Sequence, residues 1–200
     1  MATLIDSWVD LYADNFFSLN NGLNIMAGQS FANVNSIVLN SCDFKLSKSG
    51  SPTGNATVYI YAHTGTYGTS SIPTGSALAT SNTLDVSTLT GSFVLKTFTF
   101  SGADKITLTA NTKYCVIIAY SGGNSSNQLW LQASSSGSAL GNSIYYNTSW
   151  HAYTRDVLFH VYGDSAVTTN IKNINGLAIA SVSNVNGLAL ASMKNFNGLT

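Results

Sequence analysis

The chain has 200 residues with 8 Lys+Arg, 8 Asp+Glu and a formal net charge of zero. Charged residues make up 8% of it, against roughly 25% in ordinary soluble domains. Nucleic acid and anionic membrane surfaces both call for clustered cations, so neither is expected as a partner, and neither a charged helix nor an acidic tail is present.

Every acid is an Asp, the single arginine is Arg155, and Ser, Thr, Asn and Gly fill 87 of the 200 positions. The hydrophobic fraction of 44% lies far from the low-hydropathy, high-charge composition of chains that stay unfolded. Strand-favouring Thr, Tyr, Val, Ile and Phe dominate, so the expected class is all-β, an antiparallel β-sandwich of jelly-roll type.

Residues 1–27 are expected to supply first strands or an assembly arm. Met1–Leu19 has no Lys or Arg and no apolar run, and Asp6, Asp10 and Asp14 interrupt it, so no secretory signal is read there. No run approaches the length of a membrane-spanning helix. Synthesis in the cytoplasm without membrane insertion is the expectation.

Residues 28–164 should form the sandwich. Phe31–Leu39 leads through Asn40-Ser41 into Cys42–Leu46, and a turn segment follows over Ser47–Gly54. Ala56–His63 alternates cleanly, with Val58, Ile60 and Ala62 on one face and Tyr59, Tyr61 and His63 on the other. Thr64–Gly75 reads as a long loop. Phe93–Phe100 and Lys105–Thr109 read as strands. Tyr114–Tyr120 is apolar on both faces and should be central in a sheet. Leu129–Ala133, Ser143–Tyr146 and Val157–Tyr162 complete the set. Cys42 and Cys115 sit in apolar alternating strands and read as two buried thiols, with pairing left open.

Residues 165–170 form a polar linker. Residues 171–200 then repeat with a period of eleven: IKNINGLAIAS, VSNVNGLALAS and a shortened MKNFNGLT. An 11-residue apolar repeat can wind a right-handed helical supercoil. The Asn-Gly pairs at Asn175-Gly176, Asn186-Gly187 and Asn197-Gly198 favour strand–turn units instead, because Asn-Gly is a hairpin dipeptide and Gly costs a helix about 1 kcal/mol. Three short units cannot bury both faces alone. The apolar positions Ile171, Ile174, Leu177, Ile179, Val182, Val185, Leu188, Leu190, Met193 and Phe196 are therefore expected to join copies of the chain, as a trimer or a filament.

Gly28-Gln29-Ser30-Phe31 precedes a strand and the spaced run Phe44, Leu46, Lys48, Gly50, Pro52, Gly54. Ile60–Gly68, Pro73–Ser81, Phe98-Thr99-Phe100 and Tyr114-Cys115-Val116 with Ser121-Gly122-Gly123 follow. This stretch, to Gly163-Asp164, resembles the choice-of-anchor type of jelly-roll module found in bacterial surface proteins and in structural proteins of tailed phages. The repeats look like the Asn-Gly repeats that follow such modules. The resemblance implies a non-enzymatic structural subunit of a virion (tail, fibre or capsid decoration) or of an extracellular filament. The chain lacks the sorting signal or membrane helix of surface-anchored relatives, which favours the self-assembling or phage-like role.

Chemistry is sparse. The Asp residues are scattered, and Asp156 and His160, four apart on a strand, would stand about 13 Å from each other. His63, His151 and His160 lack metal spacing. Asp43, Asp85 and Asp164 form no Asp-x-Asp-x-Asp loop for calcium. No catalytic residue, metal or cofactor is expected. A glycan site is the alternative function, built from Trp150, Tyr145, Tyr153 and Asn147 in a Ser/Asn-rich region. Trp150 reads as the most exposed aromatic, whereas Trp130, between Leu129 and Leu131, reads as core.

Overall fold

A computed structural model describes residues 2–8, 13–135 and 139–165, and the backbone of 173–174, 177–178, 184–185 and 188–189. The strands are β1 (Thr3–Trp8), β2 (Asn15–Leu19), β3 (Met26–Asn33), β4 (Ile37–Ser49), β5 (Asn55–Thr64), β6 (Ile72–Asp85), β7 (Val94–Thr99) and β8 (Thr107–Leu108). They continue with β9 (Thr112–Ala119), β10 (Gln128–Ser134), β11 (Ser143–Tyr146), β12 (Trp150–Tyr153), β13 (Asp156–Val157) and β14 (Phe159–Ser165). Among the described residues, helix is confined to two single 3-10 turns, Val86–Thr88 and Gly102–Asp104.

The strands form two antiparallel sheets. In the first, β4 pairs along one edge with β14 as far as Phe44↔Phe159 and then with β10 from Leu46↔Leu131. Two separate chain segments thus fill one strand position end to end. Outside them lie β1, paired with β14, and β2, paired with β10. On the other edge of β4 lie β7 and β8. The second sheet has the order β12-β11-β3-β9-β5-β6. The chain passes back and forth between the sheets and turns round at the β5–β6 hairpin, so β4 meets β7 while β5 meets β9. That wrapped order is the expected jelly roll, with the β11–β12 hairpin added beside β3.

Alternation explains the core. Phe44, Leu46, Leu129, Leu131, Phe159 and Val161 point inward from the first sheet, and Ala27, Phe31, Val58, Ile60, Val116 and Ile118 from the second. β9 lies between β3 and β5, and every residue from Tyr114 to Ile118 is buried, as its two apolar faces required. Cys42 faces the core. Cys115 lies on the opposite face of its sheet with Ile117 and Ile144, and both thiols are free. Burial holds the Cys42 thiol well above its ordinary range and pushes Cys115 up to about 12.

Several sequence expectations are corrected. Asn40-Ser41 is not a turn: β4 runs unbroken through it, and the chain reverses at Val34–Ser36 instead. At Asn40 the β14 register skips, from Tyr162↔Ser41 to Gly163↔Leu39, so the polar dipeptide marks a bulge. A Cβ on Gly163 would meet the Ile37 Cγ2 at 2.0 Å, so only glycine fits there. The loop after β5 is shorter than Thr64–Gly75, because β6 begins at Ile72. This 14-residue edge strand is written in Ser, Thr, Ala and Gly, with few apolar side chains to reveal it. Residues of the N-terminal segment supply β1 and β2. Trp130 is not core: its neighbours Leu129 and Leu131 face inward, which by parity turns the indole to the outer face, where it stacks on Phe16 at 4.5 Å.

Residues 167–200 form a separate unit. In it β15 (Asn173–Ile174) pairs with β16 (Leu177–Ala178), and β17 (Asn184–Val185) with β18 (Leu188–Ala189). The two pairs share one register, Ile174↔Leu177 and Val185↔Leu188, eleven residues apart. The Asn-Gly positions, Ile171, Ile179, Val182, Leu190, Met193 and Phe196 lie outside the described residues.

Candidate functional site

The insertion between β10 and β13 carries the site. Its β11–β12 hairpin adds to the second sheet through Ser143↔Gln29 and Tyr145↔Ala27. Period-2 alternation sends Tyr145 toward the core side and Tyr146 to the outer face. Opposite, β2 closes the first sheet. Between them opens a groove of about 390 Å³. β2 contributes Phe16, Phe17 and Ser18, and the tight turn after it contributes Leu23 and Asn24. The insertion contributes Tyr145, Asn147, Tyr153 and Arg155.

The aromatic rings brace one another. Phe17 lies 6.3 Å from Tyr145 and 6.2 Å, edge-on, from Tyr153; the two tyrosines meet edge-on at 6.1 Å. His151 stacks on Tyr145 at 4.9 Å and its Nε2 is 3.0 Å from the Ser149 hydroxyl. Tyr153 remains 41% exposed, so a ring face or edge is open to a ligand. Asn147 accepts hydrogen bonds from Thr148 through Oδ1, and its Nδ2 has no partner among the described residues.

Arg155 sets the electrostatics. Its guanidinium carbon lies 5.1 Å above the Tyr153 ring and 5.8 Å from that of Phe17. Nη1 donates to the Phe16 carbonyl at 3.3 Å, and the Arg155 carbonyl accepts from Ser143 N–H at 3.2 Å. Through its side chain on β2 and its backbone carbonyl on β11, Arg155 therefore links the two sheets. Nearby Asp14 is held below the usual carboxylate range, first by the Ser135 hydroxyl and N–H and last by Arg155.

Below the groove, Gln29 and Asp156 form a buried clamp. Gln29 Nε2 donates to Asp156 Oδ1 at 2.7 Å, Val157 N–H donates to Gln29 Oε1 at 3.1 Å, and Ala139 N–H donates to Asp156 Oδ2 at 3.0 Å. Burial raises the Asp156 carboxyl, while the two donors lower it. This locks the residue that follows Arg155. A second link, Asn142, exchanges hydrogen bonds with Ser71 and Ser30 and ties the insertion to the loop before β6.

Tyr145, Tyr153 and Asn147 thus meet in one groove. Trp150 does not join them. It lies partly buried on the outer face, 5.9 Å from Tyr61 and 5.0 Å from Tyr146, over the Cys115–Ile117–Ile144 cluster. Phe17 and Asn24 enter the groove from a part of the chain where sequence spacing gave no signal. Being the only arginine was the one available mark of Arg155.

The polar residues considered for chemistry are dispersed. His160 faces Asp43 across β14 and β4, with Nδ1 3.5 Å from Oδ2, and Thr97 donates to Asp43 at 2.7 Å. Asp85 caps the turn Val86–Thr88. Asp164 pairs with Lys105 at 3.8 Å and accepts from Asn40. Among the described residues no three His, Cys, Asp or Glu side chains gather as metal ligands, and no helix is long and apolar enough to cross a membrane. A smaller recess of about 240 Å³ is lined by Asp6, Ser7, Trp8 and Ser30. Asp6 there is raised by burial and accepts from Ala32 N–H.

No protein-family model matches this chain, and neither a curated protein nor a solved structure does.

Proposed function

We propose that the jelly roll is a non-enzymatic carbohydrate-binding module, carried by an extracellular or virion assembly. The observation that carries the reading is the groove between β2 and the β11–β12 hairpin. It joins braced aromatic rings to amide and guanidinium donors on a rigid double-sheet support, with most of its apolar surface fixed before any ligand arrives. Sugar rings present C–H faces for aromatic stacking and hydroxyls for planar amides, and the site offers both. Glycan-array screening of the whole chain beside Tyr153→Ala tests it. The wild type should bind at least one glycan class, and the variant should lose ten-fold or more, the effect of about 1.4 kcal/mol. Absence of wild-type binding to every class removes the reading.

A second reading is favoured by a separate observation. The two short strand pairs eleven residues apart share one register, as repeating units that stack would. In this reading the chain is a structural subunit that joins copies of itself through residues 171–200, as its resemblance to phage-like modules implies. Deleting 171–200 should lower the solution mass to that of one jelly roll. An unchanged oligomeric state overturns it.

A further inference from the structure

We infer that the groove selects carboxylated sugars, such as uronate- or sialate-bearing glycans, through Arg155. The inference rests on the carbohydrate-binding reading and names the ligand class of that same groove.

Three observations converge. First, the only arginine of a nearly uncharged chain is placed in the groove, with no carboxylate among the lining residues. Second, its guanidinium is held in one place: the Tyr153 and Phe17 rings lie beneath it and the Phe16 carbonyl takes Nη1. A fixed guanidinium has already given up the rotamer freedom that binding would otherwise remove. Third, no described carboxylate forms an ion pair with it. Asp14 feels its charge, but both oxygens of Asp14 are engaged by Ser135, at 2.9 and 2.5 Å.

Nη1 is spent on Phe16, so Nε and Nη2 remain as parallel donors. That pair matches the two oxygens of a planar carboxylate. A pyranose whose carboxylate rests on Arg155 would set its ring against Tyr153 and bring hydroxyls toward Asn147 Nδ2 and Asn24. Neutral sugars would keep the stacking and amide contacts and lose the charge-assisted pair. The expected discrimination is ten-fold or more.

The test uses the whole chain and matched probes: oligogalacturonate against its methyl ester, and sialyllactose against lactose, titrated by calorimetry at low and high NaCl. The acidic member of at least one pair should bind ten-fold tighter, and added salt should reduce that advantage. Arg155→Lys should shrink the preference by weakening the acidic member more than the neutral one, since a lysine supplies charge without the planar fork. Tyr153→Ala should weaken both members. If Arg155→Lys misfolds, the salt dependence of the wild type still decides. Equal, salt-independent affinity for acidic and neutral members overturns this inference and leaves the carbohydrate reading standing. Binding of no member of either pair, with neutral glycans recognised on the array, likewise overturns it. Binding of no glycan anywhere overturns both.

Discussion

Replacing Gln29 by Leu isolates the buried clamp beneath the groove. The two side chains have similar volume, so the change removes hydrogen bonds without opening a large cavity. Gln29 is fully buried and makes two cross-sheet contacts, donating to Asp156 Oδ1 at 2.7 Å and accepting from Val157 N–H at 3.1 Å. A hydrogen bond to a charged group contributes about 1.5–3 kcal/mol, and an orphaned buried N–H costs about 1–3 kcal/mol. Together these set an expected loss of roughly 3–5 kcal/mol. For a chain of this length about 2–4 °C of Tm follows each kcal/mol, so melting should fall by on the order of 10 °C. Guanidinium unfolding monitored by tryptophan fluorescence measures it. The pH dependence has a defined sign. Burial raises the Asp156 carboxyl in the folded state above its ordinary value of 3.8. Such a group weakens the fold as pH rises from 3.8 through the raised value, because folding then holds a charge it disfavours. Gln29 Nε2 offsets part of that weakening. The deficit of Gln29→Leu should therefore be largest at neutral pH and shrink as the solution is acidified toward 3.8. A loss under about 1 kcal/mol, or a deficit that grows on acidification, would refute the clamp.

Two further predictions test other parts of the sandwich. Asn142→Ala removes buried hydrogen bonds to Ser71 and Ser143 and should cost about 2–4 kcal/mol, with faster proteolysis in the loop Gly65–Ser71 as its readout. Cys42 and Cys115 are buried with raised thiols, so neither should react with a thiol reagent at pH 8 until denaturant is added; prompt reaction of one equivalent in the native state would contradict their placement.

The sequence made the strong strands legible because burial on one face imposes period 2, as in Ala56–His63, and burial on both imposes continuous apolarity, as in Tyr114–Ile118. β6 was illegible for the same reason in reverse: an edge strand that buries little needs no apolar pattern. Parity explains both tryptophan errors. Trp130 sits among leucines that point the other way, and Trp150 sits in a turn-like polar sequence yet folds down onto Ile144. Within the groove, Tyr145, Tyr153 and Asn147 are close in the chain and could be grouped by composition. Phe17 and Asn24 reach the site only because the wrapped topology sets β2 against the hairpin, and no local pattern encodes that meeting. Gln29 occupies an inward position in β3 between Ala27 and Phe31, where a polar residue contradicts the local pattern. Its partner Asp156 is 127 residues away in the chain.

The strand position shared by β10 and β14 has a consequence for how such a protein changes. The chain leaves the sheet after Ser134 and re-enters at Asp156, and these two residues are direct cross-strand partners. Everything between them is an excursion whose ends are already side by side. The segment is held further by the pairing of β11 with β3 and by Asn142, yet none of these contacts involves β4, so its turns can be lengthened, shortened or exchanged without altering the register of β4 with β10 and β14. The excursion bears Tyr145, Asn147, Tyr153 and Arg155. Replacement of that cassette would change the lining of the groove while the two-sheet scaffold stays the same.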